Sequence, residues 1–406
     1  IIFRVNGWLG IPYCVHAQVD SRSAGVTESA AIYLAPSKPQ SSKIISMKAI
    51  TIKPGVADSI LMRETPDPDL KDKGKDVTVK VLRTGLCGTD ADIYAGEYGE
   101  APPGEDYLIL GHENFGVVED PGSSPSLKPG DYVVATVRRP CGKCLNCQRG
   151  EMDLCTSGEY TERGIKGRHG YMAEYYTESP QYLIRIPPEL RDVGVLLEPT
   201  SVVEKGIDHV YLIQRRMNWQ PERALVLGAG PVGLLAAAVL RVRGLKTFIV
   251  GRETETDLRA QLAESVEADY LPIDGLAITD LPKKTGPLDI VIEATGVSSV
   301  VFGAMQILAP DGILCLLSVT GGHAIRPEPT DRINQDLVLG NNVVFGSVNA
   351  NPRHFQKGVE DFQSIEKSYP GMLPKLITSQ LDWKDYGKWF GQKRSGIKTT
   401  LEISTG

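Results

Sequence analysis

A strand, a glycine-rich turn, a helix and a second strand follow one another between Arg223 and Arg252, and this unit constrains the fold more than any other part of the sequence. The strands read ALVLG and KTFIVG, and the helix LLAAAVLRVRG is rich in small and apolar residues. The turn has the pattern G-x-G-x-x-G, which in this setting predicts a dinucleotide-binding unit with the pyrophosphate at the helix N-terminus. The residues predicted to contact the cofactor are Gly228, Gly230, Pro231, Val232 and Gly233.

The alternation of strand and helix continues after this unit. LDIVIEATG, from Leu288 to Gly296, and GILCLLS, from Gly312 to Ser318, have the composition of buried strands, and SSVVFGAMQIL between them has that of a helix. Strands that alternate with helices in this way form a parallel sheet with helices on both faces. The sequence therefore predicts an α/β fold with a doubly wound parallel sheet.

The turn after the second strand carries the signal for the cofactor's ribose. An acidic side chain here accepts a hydrogen bond from a free 2′-hydroxyl, whereas an arginine accommodates a 2′-phosphate. Arg252 follows Gly251 in the turn, and Glu253 comes next. We therefore expect NADP to be preferred and NAD to be usable, with Arg252 in contact with the phosphate.

Four cysteines are concentrated in the segment RRPCGKCLNCQRGEMDLC, where Cys141, Cys144, Cys147 and Cys155 have the spacing C-x2-C-x2-C-x7-C. Cysteines this close are difficult to pair as two unstrained disulfides, but four thiolates can surround a tetrahedral zinc ion. Such a site has no open position, so its zinc is structural. An iron–sulfur cluster, which usually continues with C-x3-C-P, and unbound thiols are the alternatives. A reduced cluster indicates the cytoplasm.

Length and composition limit the class of protein. A chain of 406 residues is long enough for two domains. Hydrophobic residues make up 41% and charged residues 23%, as in a globular protein. The formal net charge of -6 gives no basic footprint for nucleic acid, and no stretch approaches the roughly 20 apolar residues of a membrane helix. We expect neither a nucleic acid nor a membrane as a partner.

Residues 1–46 differ from the rest of the chain. Much of this stretch is rich in Ser, Ala and Pro, and the first segment that resembles a domain strand, MKAITIKPG, begins at Met47. A signal peptide ending at Ala17 is a weaker interpretation, because polar and helix-breaking residues interrupt its short apolar core. We expect residues 1–46 to be a disordered leader or translated upstream sequence.

A second set of metal-binding residue types lies between residue 80 and residue 115. The alternating strand VTVKV ends in a loop that carries Cys87, and the sequence Gly111-His112-Glu113 follows further along. Cysteine, histidine and a carboxylate can form an open zinc site, in which three protein ligands leave one position for a substrate. Either Cys87 or His112 alone is more often a core residue. Their occurrence together, each beside a glycine, indicates a catalytic zinc site.

These motifs occur in the order found in one enzyme family. From Met47 to the C-terminus the sequence resembles the zinc-dependent medium-chain dehydrogenases, and among them the archaeal-type glucose dehydrogenases. The motifs that carry the resemblance are GLCGTD, GHE, the four-cysteine segment, ERGIKGRHGYMAEY, LLEPTSVVEKG, GSVNANPRHF and GIKTTLEIS. The resemblance implies a GroES-like catalytic domain interrupted by a Rossmann domain. The implied boundaries are 47–215 for the catalytic domain with its zinc lobe, 216–348 for the Rossmann domain and 349–406 for the return segment of the catalytic domain.

The resemblance also implies roles for single residues near the catalytic zinc. Cys87, His112 and Glu198 match the family's zinc ligands. Glu113 matches a neighbouring acid that can join or leave the coordination sphere. Thr89 matches the hydroxyl residue of a proton relay.

Other motif residues match the substrate side of the cleft. Glu162 and Asn349 correspond to residues that line the sugar site, and Asn349 is also expected to contact the cofactor. His169, in the same loop as Glu162, has no clear role, and the segment around His323 is interpreted as a loop. Val137 and Val202 occupy positions where a polar group would be expected in a sugar site, which leaves the preferred sugar open.

The activity that the resemblance implies is the NAD(P)-dependent oxidation of an aldose, with D-glucose the first candidate, at C1 to the lactone. Two zinc ions per chain are expected, one catalytic and one structural. A sorbitol- or threonine-type zinc dehydrogenase would share the same motifs and is the alternative. A nucleotide-binding protein with only a structural zinc is a further alternative. The family suggests a homodimer or homotetramer in the cytoplasm.

Overall fold

The computed structural model describes residues 46–66, 76–322, 325–392 and 396–405. The prediction for residues 1–46 lies outside this part of the chain except for Ser46, which begins the first strand, and the predicted loop at His323 also lies outside it. The strands are β1 (Ser46–Ile52), β2 (Leu61–Pro66), β3 (Val77–Gly85), β4 (Leu108–Ile109), β5 (Glu113–Asp120), β6 (Tyr132–Ala135), β7 (Arg138–Arg139), β8 (Thr161–Arg163), β9 (Gly167–Arg168), β10 (Tyr175–Glu178), β11 (Leu183–Ile186), β12 (Arg223–Leu227), β13 (Lys246–Gly251), β14 (Asp269–Pro272), β15 (Leu288–Glu293), β16 (Leu308–Leu316), β17 (Val343–Gly346), β18 (Ile377–Asp382) and β19 (Lys398–Glu402). The helices are α1 (Gly88–Tyr94), α2 (Leu145–Gln148), α3 (Leu197–Gln214), α4 (Pro231–Val242), α5 (Leu258–Ser265), α6 (Pro282–Thr285), α7 (Ser298–Ala304), α8 (Thr330–Leu339), α9 (Pro352–Ser368) and α10 (Met372–Leu376).

The predicted doubly wound parallel sheet is confirmed. Six parallel strands lie in the order β14-β13-β12-β15-β16-β17, so the winding reverses between β12 and β15. Helix α4 packs on this sheet through a run of small buried residues, Ala236 to Ala238, which lets the helix lie close to the strands. Ligands of such sheets bind at the carboxyl ends of the strands where the winding reverses, and here those ends are Leu227 and Glu293.

The turn between β12 and α4 shows why glycine is required there. Gly228 has φ +109°, in the region that favours glycine. A Cβ on Gly233 would lie 1.8 Å from the carbonyl oxygen of Gly228, so only glycine allows helix and strand to pack this closely. A Cβ on Gly230 would meet no heavy atom within 4 Å, so the space above this residue is open. The three positions thus have the packing, turn and open face of a pyrophosphate-binding turn.

The other described strands form one seven-stranded, mainly antiparallel sheet and two three-stranded sheets. The largest has the order β11-β6-β5-β3-β19-β18, with β10 also paired to β3, and the other two have the orders β2-β1-β4 and β7-β8-β9. Alternate valines of β3, beginning at Val77, are fully buried, as the sequence pattern predicts. The central strand β3 therefore receives β5 on one side and the much later strand β19 on the other.

Helix α3 contacts both the parallel sheet and the seven-stranded sheet. It packs on α9, on α4 and on strand β16 of the parallel sheet, and also on β5. Its first turn carries Glu198, and its buried face carries Lys205. Among the described helices, none has the length and apolar character needed to cross a membrane.

Candidate active site

Cys87, His112 and Glu113 lie together at the ends of two paired strands. Cys87 follows β3 and is the N-cap of α1, while Glu113 begins β5 opposite the end of β3. One ligand atom from each of the three residues lies within 4.8 Å of the other two. Thiolate, imidazole and carboxylate are the donors of catalytic zinc sites, so the residues present fit a zinc ion.

Asp90 supports this cluster and was not assigned a role from the sequence. Its side chain is fully buried, its Oδ2 accepts a hydrogen bond from the Cys87 N–H at 2.9 Å, and its Oδ1 lies 3.4 Å from His112 Nδ1. Burial alone would lower the pKa of His112, but the Asp90 carboxylate and Cys87 together outweigh it and raise that pKa well above its ordinary value. With Nδ1 turned to Asp90, the other ring nitrogen of His112 remains for a metal, as in carboxylate–histidine–zinc arrangements.

Lys398 is a second residue that the sequence did not identify. It begins β19, its side chain is buried, and its Nζ lies against the carboxylate of Glu113. The same Nζ donates a hydrogen bond to the carbonyl oxygen of Leu86 at 3.1 Å. Burial opposes the charge on Lys398, but Glu113, with Cys87 and Glu198, outweighs it and raises the pKa of Lys398. Glu113 is thus held in the cluster by an ion pair.

Glu198 and Thr89 lie near the cluster without joining it. Glu198 is buried in the first turn of α3, outside the three residues whose ligand atoms lie within 4.8 Å of one another. Burial, reinforced by the charge of Glu113, raises the pKa of Glu198 to about 7, although His112 acts in the opposite direction. Thr89 is half-buried in the first turn of α1. The zinc-ligand role of Glu198 and the relay role of Thr89 stay predictions.

Glu162 and Asn349, which are 187 residues apart, are hydrogen-bonded to each other. Asn349 Nδ2 donates to Glu162 Oε1 at 2.7 Å. Arg138, the cross-strand neighbour of Glu162, donates to the same oxygen from Nε at 3.1 Å and from Nη2 at 2.8 Å. All three side chains are buried, and the three hydrogen bonds converge on one carboxylate oxygen. Arg138 adds a fixed positive charge that the sequence did not reveal.

Close backbone packing brings the Glu162 segment next to His112. A Cβ on Gly164 or on Gly170 would lie 2.3 Å from the carbonyl oxygen of Gly111, the residue before His112. The chain therefore passes this point only because both residues are glycine. The loop between β8 and β9, which follows Glu162, is therefore packed against the residue before His112.

His169, whose role was open, connects two loops. Its Nδ1 accepts a hydrogen bond from the Ile109 N–H at 3.1 Å, and its Nε2 lies 2.9 Å from a carboxylate oxygen of Glu105. The ring also stacks on Tyr107 with centroids 5.0 Å apart. Because both ring nitrogens have partners, His169 holds the loop before His112 in place.

The four clustered cysteines have the geometry of a zinc lobe, here defined as Cys141–Cys155. The Sγ–Sγ distances are 3.3 Å for Cys144–Cys147, 3.8 Å for Cys141–Cys147 and 4.0 Å for Cys144–Cys155. Thiolates 2.3 Å from a tetrahedral ion lie about 3.8 Å apart. Hydrogen bonds from the backbone of Cys147 and Thr156 lower the pKa of Cys144 to about 5. These four cysteines form no disulfide, and their donor set fits a structural zinc.

The cofactor turn places Arg252 at the surface. Arg252 is exposed directly after β13, and within the described residues it forms no ion pair. Glu253 is half-buried and lies 3.8 Å from Arg259, which partly balances its charge. At the end of β13, Arg252 is therefore more accessible to a ligand than Glu253.

Two family profiles match most of the chain. The family profile described as "Glucose dehydrogenase C-terminus" matches residues 191–403, and the profile "Alcohol dehydrogenase GroES-like domain" matches residues 73–188. The glucose 1-dehydrogenase of Methanocella arvoryzae is 44% identical over 359 residues, which cover 88% of this chain and 99% of the relative. The chain belongs to the glucose dehydrogenase family of zinc-dependent medium-chain dehydrogenases.

Other glucose dehydrogenases support the same assignment. The glucose 1-dehydrogenase 1 of Caldivirga maquilingensis is 40% identical over 360 residues, with 88% of this chain and 99% of the relative covered. The solved glucose dehydrogenase of Haloferax mediterranei, in complex with NADP, Zn and gluconolactone, is 36% identical with a TM-score of 0.81. That match covers 89% of this chain and all of the Haloferax chain. Membership in the glucose dehydrogenase family confirms the predicted combination of a GroES-like fold with a Rossmann fold.

Proposed function

We propose that this protein oxidises D-glucose at C1 to the lactone and transfers the hydride to NADP⁺. The observation that carries the proposal is the Cys87–His112–Glu113 cluster, because the loop after Glu162 packs at Gly164 against the residue before His112 and Glu162 itself is hydrogen-bonded to Asn349. A sugar brings several hydroxyl groups into the cleft, and each needs a partner, because an unpaired buried polar group costs about 1–3 kcal/mol. The relatives named glucose 1-dehydrogenase and the gluconolactone complex of the Haloferax enzyme support glucose as the substrate.

The residues of this chain have separate tasks in the reaction. Cys87 and His112 would hold the zinc, and Asp90 keeps the His112 ring oriented. When bound, zinc supplies a Lewis acid for the C1 oxygen, and NADP⁺ supplies the hydride acceptor. The Thr89 hydroxyl would take the proton from the sugar and pass it toward solvent. Glu162 would accept hydrogen bonds from sugar hydroxyls and so place C1 for transfer.

The proposed zinc and cofactor content rests on the two groups of metal-binding residues and on the turn after β13. We propose two zinc ions per chain, because two separate clusters of ligand residues are present. NADP is the preferred cofactor, with NAD usable, since Arg252 is exposed and Glu253 is partly balanced by Arg259. Glu198 is proposed as a further zinc ligand, and Asn349 as a contact to both sugar and cofactor.

The domain division and the assembly are proposals of the same kind. Strands β12 to β17 all lie within residues 223–346, and β18 and β19 return to the sheet of β3, which supports boundaries at 47–215, 216–348 and 349–406. We propose a cytoplasmic homodimer or homotetramer. Val338 and Leu339, which are 65% and 74% exposed near the edge strand β17, support burial against a second copy.

A substrate comparison tests the function directly. Zinc-loaded protein is incubated with NADP⁺ and either D-glucose, sorbitol or L-threonine, and NADPH is followed by its absorbance while the lactone is trapped and identified. We expect turnover with D-glucose and gluconolactone as the product. Faster turnover of sorbitol or threonine would replace the proposed substrate, and NADP⁺ binding without any turnover would indicate a binding protein. The His112→Ala variant is the control, which should bind NADP⁺ and not turn over.

A further inference from the structure

Asn349 has a backbone conformation that its neighbours must maintain. Its φ is +64°, in the left-handed region that is rare for residues other than glycine and that asparagine tolerates better than most. Its side chain is anchored at both ends, since Nδ2 donates to Glu162 and Oδ1 accepts from the Ala350 N–H at 2.9 Å, and each end keeps one further hydrogen-bonding position. The orientation of the amide therefore depends on how the chain just before Asn349 is held.

Lys205 holds that part of the chain. It is 2% exposed on α3, and its Nζ donates a hydrogen bond to the carbonyl oxygen of Val348 at 2.9 Å. The same Nζ forms an ion pair with Asp153 Oδ2 at 2.8 Å, and Asp153 is also 2% exposed. A fully buried ion pair is weak evidence for stability, because apolar replacements are often as stable. Its hydrogen bond to the residue before the left-handed Asn349 points to a different role.

Asp153 connects the zinc lobe to both members of the polar pair. It lies between Cys147 and Cys155, and its Oδ1 accepts a hydrogen bond from Asn351 Nδ2 at 3.2 Å. Its backbone carbonyl accepts a hydrogen bond from Arg138 Nη1 at 2.6 Å. One arm thus leads through Lys205 and Asn351 to Asn349, and the other leads through Arg138 to Glu162.

We propose that Lys205 and Asp153 are positioning residues for the sugar site, which fix Asn349 so that its amide and the Glu162 carboxylate face the sugar together. The inference rests on the proposed function, because it assigns these residues to glucose binding. The pair touches neither the metal ligands nor the cofactor turn among its described contacts. Its removal should therefore act on the sugar through Asn349.

A double-mutant cycle tests this on the zinc-loaded protein. Lys205→Met should raise the KM for D-glucose roughly tenfold, as expected when a hydrogen-bonded sugar contact is misplaced. Asn349→Ala should cause a loss of similar size. In the Asn349→Ala background, Lys205→Met should have almost no further effect on glucose kcat/KM, because the two substitutions remove the same contact. Far-UV circular dichroism and thermal unfolding confirm that each variant is folded.

Three results would overturn the proposal. They are losses that multiply in the double variant, an unchanged glucose KM in Lys205→Met, and an Asn349→Ala variant with normal glucose kinetics. Glucose turnover by the unmodified enzyme checks the proposed function separately. If Lys205→Met alone fails to fold because Asp153 is left unpaired, the combined Asp153→Asn/Lys205→Met variant takes its place, since it removes both buried charges.

Arg243→Met is the matched control. Arg243, which follows α4, forms ion pairs with the buried carboxylates of Glu204 and Asp361. Glu204 lies on α3 next to Lys205. Its substitution disturbs a comparable cluster without touching residues 348–351 or Glu162 among its described contacts. We expect a lower thermal midpoint and an unchanged glucose KM. A tenfold KM increase in Arg243→Met as well would mean that any buried charge on α3 has this effect, and the positioning role would be lost.

Discussion

The ammonium group of Lys398 lies against the carboxylate of Glu113, although 285 residues separate them in the chain. Both side chains are nearly inaccessible to solvent, at 3% and 1%. The pair joins the last described strand to the first residue of β5, directly beside Cys87 and His112. Charge balance in the candidate zinc site therefore depends on a residue far along the sequence.

Removal of Lys398 should destabilise the protein strongly. Lys398→Met leaves the Glu113 carboxylate buried without its partner, and breaking a buried pair in this way costs about 3–5 kcal/mol. Urea unfolding of the zinc-loaded protein measures the loss, and Glu113→Gln added to Lys398→Met should recover part of it. Lys388→Met is the control, because the Lys388–Asp385 pair is exposed and should contribute less than about 1 kcal/mol. Equal losses in both variants would contradict the prediction.

Asp90→Asn should weaken the catalytic zinc without unfolding the chain. Asparagine keeps an oxygen for the Cys87 N–H but loses the charge that faces His112 Nδ1. Loss of such a supporting carboxylate typically lowers metal affinity 10–100-fold. Competition with a chromogenic zinc chelator measures the affinity, and the zinc in the lobe should stay unaffected. Unchanged affinity at both sites would remove Asp90 from the support of His112.

Cys144→Ser should release the zinc of the lobe and lower stability more than it affects chemistry. A structural zinc contributes folding free energy, because its site does not exist in the unfolded chain. Metal analysis should find two zinc ions per chain in the unmodified protein and one in the variant, with a lower thermal midpoint. A variant that lacks the lobe zinc and unfolds at the same temperature as the unmodified protein would disprove the structural role.

Arg252→Ala should change the cofactor preference. A hydrogen bond to a charged group contributes about 1.5–3 kcal/mol, so loss of the contact to the 2′-phosphate should raise the KM for NADP⁺ about 10–100-fold. NAD⁺ has no such phosphate, and its kinetics should change much less. Steady-state rates with both cofactors decide the matter, with Arg332→Ala on α8 as an exposed control. Equal losses for the two cofactors would mean that Arg252 only supports the turn.

Glu178→Gln should alter the pH dependence of stability. Burial opposes the charge of Glu178, but the guanidinium groups of Arg163 and Arg139 outweigh it and lower the pKa from 4.5 to about 2. The ionised Glu178 therefore stabilises the folded state above pH 4.5, and this stabilisation is lost as the pH falls toward 2. The shift corresponds to about 3 kcal/mol of unfolding free energy. Glu178→Gln should lower the unfolding free energy at pH 7 and flatten its fall below pH 4.5. Glu360→Gln, in the exposed pair with Lys357, is the control and should show neither change.

Local patterns in the sequence were sufficient to predict the parallel sheet and the two groups of metal-binding residue types that the fold brings together. The strand, turn and helix of the nucleotide unit are contiguous, so apolar periodicity and three glycines identified them. The strand predicted from Gly312 to Ser318 runs from Leu308 to Leu316, and its early part has an irregular register against β15 with Asp311 at φ +62°. Such a detail depends on the neighbouring strand and has no local signal.

The residues that support the site were harder to find. Lys398, Arg138 and Lys205 act through partners brought near by the sheet or the helices, and lysine and arginine alone usually indicate solvated surface. Asp90 is the exception, since an acid three residues after an N-cap position is a capping pattern that can be read from the sequence. What the sequence left out is therefore mainly the long-range charge pairing.

Strand β19 also sets the order in which the protein can mature during synthesis. The six strands of the nucleotide sheet come from the continuous stretch 223–346, so that half can fold while the rest of the chain is still in the ribosome. Glu113 and Leu86 are made early but wait for Lys398, which is made more than 280 residues later. Because β19 completes the sheet beside β3, the metal site can reach its final charge only after Lys398 has been made, and by then the whole stretch that forms the nucleotide sheet has been synthesised.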